Sequence, residues 1–138
     1  MKMTKKRICA IGFLTIILAM LMFDVHNRRV AADAIDRVYI YISSDANAEP
    51  ILSSILLTNA RDKLERCVRR TTFLSAAPMR SAAASIGSQM TKQQLAHGNM
   101  LSLRLRDAPR KDFEEVNAKY AADVAEFKRE LEYIRRTF

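Results

Sequence analysis

The sequence predicts an all-α protein, one N-terminal transmembrane helix followed by a small helical bundle or helical hairpins with a long C-terminal amphipathic helix. Three observations predict it. Three Gly and three Pro among 138 residues are far fewer than a turn-rich β-fold uses. Residues 8–23, ICAIGFLTIILAMLMF, carry no charge. From Phe113 to Phe138 a seam that is apolar except at Asn117 recurs at alternating spacings of four and three. The alternative is an α+β domain with a short strand pair, 38–42/101–105.

The first element is the apolar run, preceded by Lys2, Lys5, Lys6 and Arg7. Its sixteen residues rise about 24 Å at 1.5 Å each, short of a hydrocarbon core of about 30 Å, so length fits a cleaved export signal as well as a retained span. The flank favours retention. Asp24, Val25, His26, Asn27, Arg28 and Arg29 offer no small-residue cleavage site, and the first A-x-A, Ala32-Asp33-Ala34, lies beyond both arginines. The chain is therefore expected to divide into a basic cytoplasmic N-terminus (1–7), a transmembrane signal-anchor in contact with lipid (8–23) and an exported helical domain (24–138). Four cations before the run, against Asp24, Arg28 and Arg29 after it, put the N-terminus in the cytoplasm. A single-pass protein of a bacterial inner membrane with its body on the periplasmic side fits this pattern; an organellar inner membrane is the alternative. Gly12 has Ile16 four residues on, so the run holds no GxxxG pairing signal.

Beyond the run, Ala31, Ile35, Val38 and Ile42 form one stripe of a helix continuing out of the membrane. Within it VYIYI, residues 38–42, has the β-branched and aromatic composition of a strand, which is the basis of the alternative. Ser43, Ser44, Asp45 and Asn47 break the pattern, and a second helix is expected from Pro50 with the stripe Leu52, Leu56, Ala60, Leu64, Cys67, Thr71 and Leu74. Asp62 to Arg66 and Glu65 to Arg69 are exposed pairs on it in the favourable order. Pro78 ends this helix or marks a turn. Cys67 is expected as a small buried apolar residue, with an intermolecular cross-link as the alternative; Cys9 falls in the apolar run.

The third stretch begins with SAAASIGS, residues 81–88, where Ala83 and Gly87 would let a helix approach a neighbour closely. His97-Gly98-Asn99 reads as a turn, and Leu101, Leu103 and Leu105 alternate with Ser102, Arg104 and Arg106 as a half-buried strand would.

The fourth element is a heptad helix, 110–138. Asp107 and Pro109 signal its start, and Asp112, Glu114 and Glu115 place negative charge in the early turns where the helix dipole favours it. Its packing seam is Phe113, Asn117, Tyr120, Val124, Phe127, Leu131, Ile134 and Phe138. Two uses of the seam are open. Aromatic residues at Phe113, Tyr120 and Phe127, with Val116 able to replace Asn117 on the stripe, suit the core of a single-chain bundle. Asp123 and Glu130, complementary to Lys128 and Arg135, would suit self-association or a protein partner through a parallel helix pair.

Charge is concentrated in the middle, 61–111, with eleven Lys or Arg against three Asp or Glu, and no acid stands between Glu65 and Asp107. The candidate anionic-surface residues are Arg61, Lys63, Arg66, Arg69, Arg70, Arg80, Arg104, Arg106, Arg110 and Lys111. They would attract anionic lipid or an acidic protein. Nucleic acid is the weaker candidate, because an exported body rarely meets it and aromatic interleaving stops at Phe73. Nothing points to catalysis. His26 and His97 lack ligand-spaced partners, there is no Gly-rich phosphate loop or nucleophile elbow, and Glu114 and Glu115 point about 100° apart on a helix. No enzyme, metal or cofactor is expected. The expected function is a non-enzymatic, membrane-anchored structural or assembly subunit of a membrane complex, acting through helix contacts and a basic surface. The alternative is a small helical extracytoplasmic ligand-binding, sensor or regulatory module. An exposed apolar helix face would favour the first and an apolar pocket with convergent polar groups the second.

Overall fold

The computed structural model describes residues 4–44 and 54–138. They form α1 (Lys5–Ser44), α2 (Ser54–Arg70), α3 (Ala77–Leu105) and α4 (Arg110–Arg136), with no strand among the described residues. The expected start of the second helix at Pro50 and Leu52 lies outside them.

Helix α1 runs without a break for 40 residues. It is long and apolar enough to cross a membrane, and side chains of the apolar run such as Phe13, Leu14, Ile16 and Met22 stand exposed. From Asp24 onward the same helix buries Ala31, Ala34, Ile35, Val38 and Ile42. The strand alternative for 38–42 is thereby overturned. Val38 and Ile42 share a face with Ile35, so packing against the other helices overrides the β preference of VYIYI.

Helices α1 and α3 meet only briefly; each packs along α2 and α4. Successive helices are antiparallel. Asp24 near the start of the packed half of α1 meets residues 72–74 after α2, Ser85 of α3 meets Glu130 of α4, and Arg135 at the end of α4 meets Asp36 of α1. Ile35, Val38, Leu57, Leu64, Met79, Ile86, Phe127 and Leu131 fill the shared core. On α2 the expected stripe is observed at Ala60, Leu64 and Cys67, joined by Leu57. The helix ends at Arg70, before Thr71 and Leu74, and Pro78 is found in the first turn of α3, where its missing N–H costs nothing.

Helix α3 corrects two further expectations. His97-Gly98-Asn99 is helical, because one Gly costs only about 1 kcal/mol among the helix-forming residues around it. The Leu101 to Leu105 segment is helical too: it buries Leu103 but exposes Leu101 and Leu105, which a strand would have placed on one face. The turn comes later. Asp107 adopts φ 48°, a left-handed conformation that Asp tolerates better than most residues, and the Ala108 N–H donates to the Leu103 carbonyl at 3.0 Å to close the helix end. Pro109 then caps α4 in extended conformation. With 29 and 27 residues against 17 in α2, α3 and α4 run on together past the shared core.

Candidate functional site where the apolar run meets the body

The apolar run ends at Phe23, and the next residue carries the connection between that run and the body. Asp24 is 0% exposed. Its Oδ1 accepts the N–H of Thr72 at 2.9 Å, and its Oδ2 accepts those of Phe73 at 2.6 Å and Leu74 at 3.1 Å. These three donors follow α2 and belong to no helix. Burial pushes the Asp24 carboxyl up, but the amides of Phe73, Thr72 and Leu74 outweigh it and hold the carboxyl below its ordinary value. The α2–α3 turn is thus pinned to the first residue beyond the run, leaving the Phe73 ring exposed beside it.

That geometry divides the basic middle. Arg66, Arg69, Arg70 and Arg80 flank the pinned turn, with Lys63 one helical turn further along α2. Arg104, Arg106, Arg110 and Lys111 lie around the α3–α4 turn; Arg80 and Arg104 are 24 residues apart on one helix, about 36 Å. With Arg61, which lines a groove together with Arg69 and Arg80, ten cations that are close in sequence therefore make two separate patches. Arg61 and Arg110 are tied to Glu65 and Glu114 on their own helices. Arg66, Arg69, Arg70 and Arg80 pair with no carboxylate among the described residues. Of the expected helix pairs, neither Asp62 to Arg66 nor Glu65 to Arg69 is formed; Glu65 takes Arg61 instead.

The heptad seam of α4 is engaged within the chain. Tyr120, Phe127, Leu131 and Ile134 are buried, while Phe113, Val124 and Phe138 are half-buried. Asn117 is exposed and Val116 half-buried, so the stripe follows Val116 there. Flanking charges also find partners in the chain. Glu130 accepts a hydrogen bond from the Ser85 hydroxyl at 2.6 Å, Arg135 Nε meets Asp36 at 2.5 Å, and the Arg135 guanidinium lies 4.3 Å from the Tyr39 ring centroid, with Lys128 at 5.8 Å from the same ring.

Cys67 is buried and Cys9 exposed. Burial pushes the Cys67 thiol up against the opposing pull of Arg70, Arg66 and Lys63, which suits a packed apolar side chain rather than a reactive thiolate. Sequence reasoning passed over Asp24 and Asn27, both buried on the first turn beyond the apolar run. A lone acid directly after sixteen uncharged residues was the available signal for Asp24. No protein-family model, curated protein or solved structure matches the chain.

Proposed function

We propose that the chain is a non-enzymatic, membrane-anchored assembly subunit, in which residues 8–23 cross a membrane and the outward face of α3 takes a helix of a partner subunit. The N-terminus lies on the cytoplasmic side and the body is exported, as the flanking Lys and Arg favour. The observation that supports this reading is the polarity of α3 beyond its core residue Ile86. There the helix buries Gln89 and Gln93 along with Leu103 and exposes Leu95, Leu101 and Leu105. Along its outside, Ala84, Ser88, Thr91, Leu95, Gly98, Ser102 and Leu105 follow heptad spacing, all exposed and none charged. Thr91 even turns its hydroxyl back onto the Gly87 carbonyl at 3.2 Å. A helix facing only water would carry charge on that side, as α4 does at Lys111, Glu115 and Arg129. The groove between α2 and α3, in contrast, is open, and exposed side chains such as Arg61, Arg69 and Arg80 form part of its lining.

The test places a photo-crosslinking residue at Leu95 or at Leu105 of the full chain in its native membrane. A discrete adduct from both positions, absent with the same probe at Ala121 on the exposed side of α4, is expected. An adduct of twice the chain mass would identify the partner as a second copy. No adduct, or the same adducts from Ala121, would overturn the reading. A reporter fused after Phe138 tests topology independently, since it should be active only outside the cytoplasm.

A further inference from the structure

Where α1 leaves the apolar run, a cavity of about 270 Å³ opens between α1 and α2, with Phe23, His26, Asn27, Lys63, Arg66 and Arg70 in its lining. Three features of this cavity point to one kind of ligand. First, it gathers three cations, Lys63, Arg66 and Arg70, and no carboxylate. Second, Asn27 is 5% exposed, yet its side-chain Nδ2 donates to nothing among the described residues. An amide buried without a partner is unfavourable, so an acceptor at this place is favoured. Third, Phe23, the last residue of the uncharged run, forms part of the wall.

We infer that this cavity binds the phosphate of an anionic phospholipid drawn from the membrane that α1 enters. Arg66 and Arg70 supply charge-assisted hydrogen bonds to the phosphate oxygens, Lys63 adds a point charge, and the Asn27 amide donates from the buried side. The acyl chains run back along the exposed apolar side chains of α1 below Phe23. The other titratable side chains facing this space are His26 and the Cys67 thiol; Asp24 is engaged by the amides of 72–74 and is not part of the lining. Free phosphate offers the same oxygens, but the apolar run that begins at the cavity wall fits a ligand with acyl chains. The inference rests on residues 8–23 being a membrane span.

The chain has no Trp, so a single one introduced by substitution reports alone. The full chain carrying Phe23→Trp is placed in nanodiscs of phosphatidylcholine mixed with brominated phosphatidylglycerol, or the reverse labelling, and quenching gives the relative affinity for the two lipids at residue 23. Preference for the anionic lipid of at least about fivefold is expected, the factor one basic residue contributes at an anionic surface. Arg66→Gln with Arg70→Gln should bring it near one, while Arg104→Gln with Arg106→Gln at the far end should leave it unchanged. Equal quenching by both lipids in Phe23→Trp without further substitution would overturn the lipid site, as would abolition of the preference by inorganic phosphate at constant ionic strength, which would assign the cavity to free phosphate. Phe13→Trp separates this from the span itself. Quenching of Trp at position 13 by both lipids alike keeps the span while the site is judged; absence of quenching there overturns the span and the inference with it.

Discussion

The carboxylate of Asp24 accepts the backbone N–H of Phe73 at 2.6 Å, across 49 residues of chain. Through this contact and its neighbours at Thr72 and Leu74, a helix that leaves the apolar run and a turn between two later helices become one rigid corner. Because the folded carboxyl titrates below its ordinary value of 3.8, the sign of its pH dependence is fixed. The unfolded chain binds a proton at Asp24 more readily than the folded one, so the stabilisation is complete above the unfolded value and is lost as pH falls through the lower folded value. The full chain in detergent should melt higher than Asp24→Asn at pH 7, and the gap should narrow as pH falls below about 4. A gap independent of pH between 3 and 7 would mean that Asp24 acts by shape rather than by charge.

The seam of α4 is tested by truncation. Phe127 and Leu131 are buried in the shared core, and substitution to Ala should cost about 3 to 5 and 2 to 5 kcal/mol respectively in denaturant unfolding. Asn117→Ala should change stability by less than about 0.5 kcal/mol, because its side chain is exposed. In a parallel zipper Asn117 would face its own copy, and its substitution would alter oligomeric state. A midpoint for the parent chain that rises with protein concentration, together with a change of oligomeric state in Asn117→Ala, would point to that zipper.

Which parts of this architecture are legible in the sequence follows from the range of the interactions involved. The stripes of α1, α2 and α4 were readable because Ile35, Leu64 and Phe127 repeat at helical spacing within their own segments. The extent of α3 was not. Its Gly98 and the alternation at Leu101 to Leu105 are local turn and strand signals, and they yield to the strong helix formers on either side and to packing against α4. The basic middle was visible as composition, but its division into two patches depends on α3 being one continuous helix. The Asp24 corner and the Asn27 cavity were hidden for a related reason, since their partners, residues 63–74, stand about 40 positions away and no periodicity connects them.

Arg135 joins α4 to α1 through two contacts at once, Asp36 at 2.5 Å and the Tyr39 ring at 4.3 Å. Both side chains of the ion pair are partly exposed, so its contribution is small, about 0.2 to 1 kcal/mol, and the ring adds about 0.5 to 1 kcal/mol. Arg135→Ala should therefore destabilise by about 0.7 to 2 kcal/mol, more than Asp36→Ala, which leaves the ring contact intact. In a double-mutant cycle the Asp36 coupling should shrink on adding 1 M salt, while the Tyr39 coupling should persist more strongly.

Gln89 gives the sharpest test of what the interior of the body is for. It is 1% exposed, sits on α3 between the core residue Ile86 and buried Gln93, and neither its Nε2 nor its Oε1 has a partner among the described residues. A side-chain amide left unpaired in such a place costs about 1 to 3 kcal/mol, and Met has nearly the same length and flexibility without the polar atoms. If the side chain is only a tolerated core residue of an assembly subunit, Gln89→Met should raise stability by about 1 to 3 kcal/mol in denaturant unfolding of the full chain. Gln89→Ala, which removes volume as well, should raise it less or lower it. A loss of stability in Gln89→Met would show the amide engaged with a polar group inside the body, and would favour the ligand-binding or sensor reading over assembly through α3. The two substitutions together separate polarity from packing: only an engaged amide makes Met as harmful as Ala.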